Sequence, residues 1–281
     1  GVVATVTARD HTRAETGLRA LAGGYRAPGV VPAHEGTCPG GTVFVFSGQG
    51  SQWAGMGRRL MVAEPAFAAA VVELEPVFVA VVGFSLREVL ASGEPVVGID
   101  RIQPVLVGVQ LALVSLWRSY GVCPDAVIGH SMGEVAAAVV SGALSVADGL
   151  SVIATRSRLM KALSGHGAMA LLEADAATAD ALVRAHPGLS TAVYASPRQC
   201  VVAGPPEQID AVIAEVTARN LLARRVEVDV ASHHRTVDPI LDDLRAALAD
   251  LAPRRPTIPM VSTVEESQTA PVTDASSTSL V

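Results

Sequence analysis

Two glycines bracket a serine at Gly129-His-Ser-Met-Gly133, between an apolar run, Ala126-Val-Ile128, and an alanine-rich segment from Met132 to about Val140. The first segment reads as a buried strand and the second as a helix, so the chain must turn sharply between them. In a G-x-S-x-G turn of this kind the glycines let strand and helix approach closely, and the serine is left exposed on a strained elbow. The helix N-terminus behind it offers free N–H groups and a positive dipole end to a developing oxyanion. Two blander uses compete. Ser131 could cap the helix between two turn glycines, and His130 with Glu134, four residues apart, could hold a metal. The flanking strand and helix favour a nucleophile over a cap. No third ligand accompanies the His130–Glu134 pair, and an acidic residue favours a helix N-terminus in any case, so no metal is expected.

The remaining elements agree with a layered α/β core. Thr42-Val-Phe-Val-Phe46 is β-branched and aromatic and ends in Ser47-Gly-Gln-Gly50, a buried strand feeding a tight turn. Helical stretches rich in Ala, Val and Leu follow, including Gln103 to Tyr120. Strands alternating with helices predict a parallel sheet covered on both faces. From Gly167 the texture changes to strand 168–172, helix 176–185, two short strands over 190–203 around Pro197, helix 206–219 and strand 225–230. That β-α-β-β-α-β order predicts a ferredoxin-like subdomain inserted into the larger unit. Beyond it, Val237 to Leu251 reads as an amphipathic helix, Thr257 to Val264 as a strand, and Glu265 to Val281 as a loose polar tail. The expected division is a linker over 1–40, with one helical stretch near Ala14 to Ala22, a core over 41–166 and 232–281, and the subdomain over 167–231.

Composition narrows the function. Half of the 281 residues are apolar and 17% are charged, which supplies a core. A net charge of -6 gives no basic surface for nucleic acid. The apolar stretch Pro104 to Trp117 is short for a membrane span, and Pro76 with Glu73 and Glu75 interrupts the candidate around Ala66 to Phe84, so no span is expected. Cys38, Cys123 and Cys200 are odd in number and far apart, which points to reducing cytoplasm rather than to a disulfide framework. The chain opens without Met and reads as an excised piece of a larger soluble polypeptide.

Four motifs in order, Phe46-Ser-Gly-Gln-Gly-Ser-Gln-Trp53, Gly129-His-Ser-Met-Gly-Glu134, Thr155-Arg-Ser-Arg-Leu159 and Ala231-Ser-His233, resemble the malonyl-type acyltransferases of fatty acid synthesis. They resemble still more closely the acyltransferase domains of modular polyketide synthases. The resemblance spans roughly Thr42 to Val264. It implies an α/β hydrolase-like core with a ferredoxin-like insert and the active site between them. It also implies an acyl-coenzyme A thioester as substrate and no permanently bound cofactor. The implied partners are an acyl carrier protein bearing phosphopantetheine and a neighbouring ketosynthase with its linker.

By that resemblance Ser131 is the nucleophile and His233 its base, with His234 a surface residue. The oxyanion hole is formed by the backbone N–H groups of Gln49 and Met132, and Arg156 grips the free carboxylate of malonyl-type groups. The resemblance implies a backbone carbonyl, here from the Pro259 to Val264 strand, to orient His233, while Asp229, Asp238 and Asp242 remain alternatives. For the extender unit, relatives with an HAFH-like segment go with malonyl and those with a YASH-like one with methylmalonyl. Val230-Ala-Ser-His233 leaves room beside the histidine, so Ser232, with Val230, points to methylmalonyl, whereas the Met132 side chain looks malonyl-like. A malonyl-specific enzyme, a serine thioesterase or lipase with the same elbow, and a non-catalytic docking domain are the rival readings. Tyr194, where relatives have Asn, and the absence of a Tyr-Trp and Asn-Leu-Arg closing segment are departures from the pattern.

Overall fold

A computed structural model describes residues 4–32, 40–226, 228 and 230–264. The polar tail expected from Glu265 onward, Cys38 and Asp229 lie outside the described residues. The chain divides into two compact units, Gly1–Gly41 and Thr42–Val281. In the first, strands β1 (Thr5–Val6) and β2 (Val30–Val31) pair antiparallel, and helix α1 (His11–Gly23) lies between them in sequence. Asp10 caps α1 by accepting from the Arg13 N–H. The helix is longer than the expected 14–22 stretch, and the strand pair was not foreseen because two-residue strands carry no periodicity.

The second unit begins with β3 (Val43–Phe46), followed by α2 (Arg58–Ala63), α3 (Pro65–Val82), α4 (Leu86–Ser92) and α5 (Ile99–Ser119). Then come β4 (Ala126–Gly129), α6 (Gly133–Ser141) and α7 (Val146–Lys161). The strands β3 and β4 and a short β9 (Met260–Val261) form a parallel sheet in the order β3-β4-β9. The core gathers Phe46 and Val127 from this sheet with Phe67 and Phe78 of α3, Val107 and Ala112 of α5, Ala136 of α6 and Leu150 of α7. Helices α3 and α5 are long and apolar enough to cross a membrane, which corrects both expectations: α5 is longer than the apolar stretch Pro104 to Trp117, and α3 runs on through Pro76, where an interruption was expected. The helical periodicity simply extends past the apolar run. Thirteen of the 21 residues of α5 are buried inside the fold.

The strands β5 (Ala168–Leu172), β6 (Ser190–Ser196), β7 (Gln199–Gly204) and β8 (Ala223–Arg225) form an antiparallel sheet in the order β6-β7-β5-β8, with α8 (Ala176–Ala185) and α9 (Pro206–Ala218) as its crossovers. This is the split β-α-β arrangement of the ferredoxin-like fold. Period-two alternation sorts its two faces. Ala168, Ala170 and Leu172 pack with Ile209 and Val212 of α9, whereas Met169 faces the other way and packs with Ala203 and Ala231. The open face of this sheet therefore abuts the loop that carries His233.

Three elements depart from expectation. Strand β8 ends at Arg225 instead of Val230: Ala170 pairs with Arg225, the Val226 N–H reaches the Met169 carbonyl at 2.8 Å, and β5 begins at Ala168, so the ladder has run out of partner. The helix expected over 237–251 is a 3₁₀ turn, Arg235–Ile240, followed by α10 (Leu241–Ala247), because Pro239 has no N–H to give an α-helical ladder. The strand expected over 257–264 shrinks to β9. Its flanks are used elsewhere: Thr257 and Ile258 N–H groups donate to the Ser141 carbonyl, and Thr263 turns to Glu134.

Candidate active site

The elbow follows from its glycines. Ser131 has φ +53, and it shares a positive φ with only one other described non-glycine residue, Asn220. That conformation is strained for a residue with a side chain and persists only where the surroundings enforce it. A Cβ on Gly133 would lie 2.2 Å from the Phe46 carbonyl oxygen, and one on Gly129 2.3 Å from the Glu134 nitrogen. No side chain fits at either place, so α6 starts in contact with β3 and β4. The Gly133 and Glu134 N–H groups bond back to the His130 and Ser131 carbonyls, each at 2.9 Å.

The first glycine turn lies against this elbow. A Cβ at Gly48 would stand 3.0 Å from His130 Nδ1 and 3.6 Å from Ser131 Cβ. The turn is held by its own side chains: Ser47 Oγ to Ser51 Oγ at 3.1 Å, Ser51 Oγ to the Gly48 carbonyl at 3.1 Å, and the Gly50 N–H to Gln52 Oε1 at 2.8 Å. Gln110 of α5 adds a bond from Nε2 to the Ser47 carbonyl at 2.8 Å. Among the described residues the backbone N–H groups of Gln49 and Met132 meet no acceptor.

His233 reaches the serine from the other side. Its Nε2 lies 2.7 Å from Ser131 Oγ. The loop behind it is pinned, since a Cβ on Gly167 would meet Ala231 Cβ at 2.6 Å and the Ala231 carbonyl accepts from Thr236 Oγ1 at 3.2 Å. His234 caps the 3₁₀ turn, its ring accepting from the Thr236 N–H at 3.2 Å. The two adjacent imidazoles thus make different contacts, and His234 is half-buried where a surface position was expected. His233 is exposed, yet its ring is crowded by Arg156 and His130. Burial first, then the positive charge of Arg156 and the neighbouring His130, push its pKa down to about 4. Among the described residues no carbonyl or carboxylate orients Nδ1: Asp238 and Asp242 are exposed, the latter paired with Arg245 at 2.8 Å, and the Pro259 to Val264 segment does not bond the ring.

Arg156 stands on α7, whose N-terminus is fixed by a capping box between Ser145 and Asp148. Its Nη1 donates to Gln103 Oε1 at 2.9 Å, and it has no carboxylate partner among the described residues. Burial lowers its pKa to about 10, so it stays charged at neutral pH. Arg158, on another face of the same helix, is exposed.

Of the residues expected to select the acyl group, Ser232 is half-buried with Oγ 4.0 Å from Met169 Sδ. The Val230 side chain packs in an apolar cluster with Ile99, Met160 and Ile240, and that of Met132 in the main core. Tyr194, on β6, is exposed and donates to Asp180 of α8 at 3.0 Å.

Sequence reasoning missed the part played by Gln103 and saw only part of that played by Glu134. Gln103 is 2% exposed and joins Arg156 to Gln49, donating from Nε2 to Gln49 Oε1 at 3.0 Å. The one trace in the sequence was two amides, Gln103 and Gln110, spaced two turns apart in the otherwise apolar stretch 102–114. Glu134 does more than favour a helix end. Its buried carboxylate accepts from Ser262 Oγ at 3.1 Å and from the Thr263 N–H and Oγ1 at 2.6 and 3.0 Å, tying the elbow helix to the chain after β9.

The sequence matches the family described as acyl transferase domain over residues 43–279. It is 65% identical over 272 residues to a phenolphthiocerol/phthiocerol polyketide synthase of Mycobacterium tuberculosis, covering 97% of this chain and 15% of that protein. The chain therefore spans a small part of such relatives. Among solved structures, it is similar to the acyltransferase domain of the polyketide synthase PpsC of Mycobacterium tuberculosis, with a TM-score of 0.81 and 57% identity over 92% of this chain and 78% of that one. It is also similar to the acyl transferase domain of SpnD, solved in complex with 2-(pent-4-yn-1-yl)malonyl, with a TM-score of 0.77 and 32% identity over 92% of this chain and 60% of that one.

Proposed function

This chain belongs to the acyl transferase domain family, and from that premise we propose that it moves a carboxylated extender unit, methylmalonyl, from coenzyme A to an acyl carrier protein during polyketide-lipid synthesis. The observation that carries the reading is the 2.7 Å approach of Ser131 Oγ to His233 Nε2, beside a buried guanidinium that lacks a carboxylate among the described residues.

In the proposed sequence His233 takes the Ser131 hydroxyl proton as Oγ attacks the thioester carbonyl. The oxygen gains negative charge, which the Gln49 and Met132 N–H groups receive. Collapse breaks the C–S bond, His233 returns the proton to the leaving thiolate, and an acyl-serine remains. The phosphopantetheine thiol of the carrier then repeats the steps in reverse. A neutral imidazole suits this cycle, and the low pKa keeps His233 neutral at working pH. Arg156 offers a fork matched to the carboxylate that malonyl-type groups carry and acetyl lacks. The substituted malonyl held by the SpnD domain agrees with such a group. Ser232, small and beside the base, leaves space for an α-methyl group.

The break between Gly41 and Thr42 and the separate sheet of β5 to β8 support reading residues 1–40 as a linker, 41–166 with 232–281 as the catalytic core, and 167–231 as the inserted subdomain; by the family resemblance the linker leads from a ketosynthase. A single experiment tests the reading: intact mass of the protein after brief competition between malonyl- and methylmalonyl-coenzyme A. A methylmalonyl adduct on Ser131 supports it. Rapid hydrolysis without a carrier would point to a thioesterase, and no adduct to a non-catalytic domain.

A further inference from the structure

We propose that Gln103 is a positioning residue that sets, through one side chain, both the carboxylate grip of Arg156 and the oxyanion turn at Gln49. The inference rests on the reading of Arg156 and Gln49 given above.

The hydrogen-bond directions are forced. A guanidinium only donates, so the Gln103 oxygen must face Arg156 Nη1 at 2.9 Å. The Gln103 NH₂ is then turned to Gln49, and the Gln49 side-chain oxygen must accept it at 3.0 Å. One donor-only group at the end of the row fixes the orientation of two amides. The side chain has little freedom to do otherwise, being 2% exposed. Its backbone is anchored as well. Gln103 stands near the start of α5, where Asp100 pairs with Lys161 of α7 at 2.8 Å and Ile99 packs on Met160. Those contacts tie the first turns of α5 to the helix that carries Arg156.

An amide is the chemistry this position requires. A carboxylate in its place would neutralise Arg156 and occupy the charge that a substrate carboxylate needs. An amide instead accepts one N–H, leaves the positive charge uncompensated, and spares the remaining guanidinium donors for a ligand. The second amide bond extends the same geometry to the turn that carries Gln49.

The test uses Gln103→Glu and Gln103→Met in the full chain, with initial rates of acyl loading from malonyl- and acetyl-coenzyme A followed by intact mass. Gln103→Glu should raise the KM for malonyl loading about thirtyfold or more and collapse the malonyl-to-acetyl ratio of kcat/KM. Added to Arg156→Ala, it should change that ratio by less than twofold, since the group it acts through is already gone. Gln103→Met, close in shape and uncharged, should lower kcat for both acyl groups by about tenfold through the loosened turn. It also keeps the proposal testable if the buried glutamate prevents folding. Losses from Gln103→Glu that are equal for malonyl and acetyl, or full additivity with Arg156→Ala, would overturn it, as would a Gln103→Met variant with wild-type kcat. The underlying reading fails differently: an Arg156→Ala variant that keeps the wild-type malonyl-to-acetyl ratio removes the carboxylate grip itself.

Discussion

Ser131 Oγ and His233 Nε2 stand 2.7 Å apart although 102 positions separate them in the chain. The serine is delivered by a strained elbow between β4 and α6, the histidine by a loop pressed between Gly167 and a 3₁₀ turn. They come from separate elements, so each can be replaced separately. Ser131→Ala should abolish acyl adduct formation with the fold retained, because the hydroxyl contributes the covalent step and little packing. His233→Ala should reduce loading at least a hundredfold, by about the size of a general-base contribution. His234→Ala should cost only ~1 kcal/mol of stability through its cap and leave loading within a fewfold of wild type. Intact mass and thermal melts read all three, and equal losses at the two histidines would assign the base wrongly.

The depressed pKa of His233 sets the pH profile. With a value of about 4, caused first by burial and then by Arg156 and His130, the base is already neutral well below pH 6. The loading rate should stay level from pH 8 down to about 5 and fall only near 4, instead of halving near 6.5. Arg156→Ala removes one source of the depression, so the acid limb measured with acetyl-coenzyme A should move to higher pH. Stability follows the same linkage. Between pH 6.5 and 4 the unfolded chain binds the proton that folded His233 refuses, so stability is full above 6.5 and declines as pH falls through this window. An acid limb that ignores Arg156→Ala would separate the two charges.

Arg156→Ala should depress malonyl-type loading far more than acetyl or propionyl loading. Only the dicarboxylic groups lose a charge-assisted, forked contact, worth ~1.5–3 kcal/mol. Lysine at this position should restore little, since a point charge does not reproduce the fork. Parallel kcat/KM losses across all acyl groups would make the arginine structural.

The pieces of this site were unequally legible. The elbow could be read because its glycines, its strand and its helix are contiguous, and local sterics alone demand them. The six-element order of the ferredoxin-like subdomain was legible for the same reason, as alternating periodicities in one stretch. Gln103 was not, because its role exists only once α5 and α7 are packed and the donor-only end of Arg156 orients it. The ends of β8 and β9 escaped too. The side-chain pattern of β8 runs on past the start of its partner β5, and the flanks of β9 are drawn away to Ser141 and Glu134.

Glu134 offers a stability test that leaves the chemistry in place. Its carboxylate is 5% exposed and accepts from Ser262 and twice from Thr263. Glu134→Ala strands those donors and should destabilise the fold by about 1–3 kcal/mol or more, lowering Tm by several degrees in calorimetry. Glu134→Gln keeps one acceptor oxygen and should lose less. A melt unchanged by the alanine variant would show that water takes over the three contacts.

In the proposed reading the choice between extender units turns on Ser232, whose Oγ lies 4.0 Å from Met169 Sδ, one residue before His233. The Met132 and Val230 side chains are buried in separate apolar clusters, so neither offers an open surface to an acyl group, and Ser232 is the half-buried candidate of the three. Ser232→Phe puts a ring where a methyl must fit. Overpacking costs roughly 1–3 kcal/mol, and a loop can yield part of that, so the ratio of kcat/KM should shift toward malonyl by about tenfold to a hundredfold. Malonyl loading itself should persist. Wild type should load methylmalonyl-coenzyme A at least as well as malonyl-coenzyme A in the same competition. A wild type that strongly prefers malonyl, or a phenylalanine variant with an unchanged ratio, would move the selectivity away from Ser232 and overturn the methylmalonyl assignment.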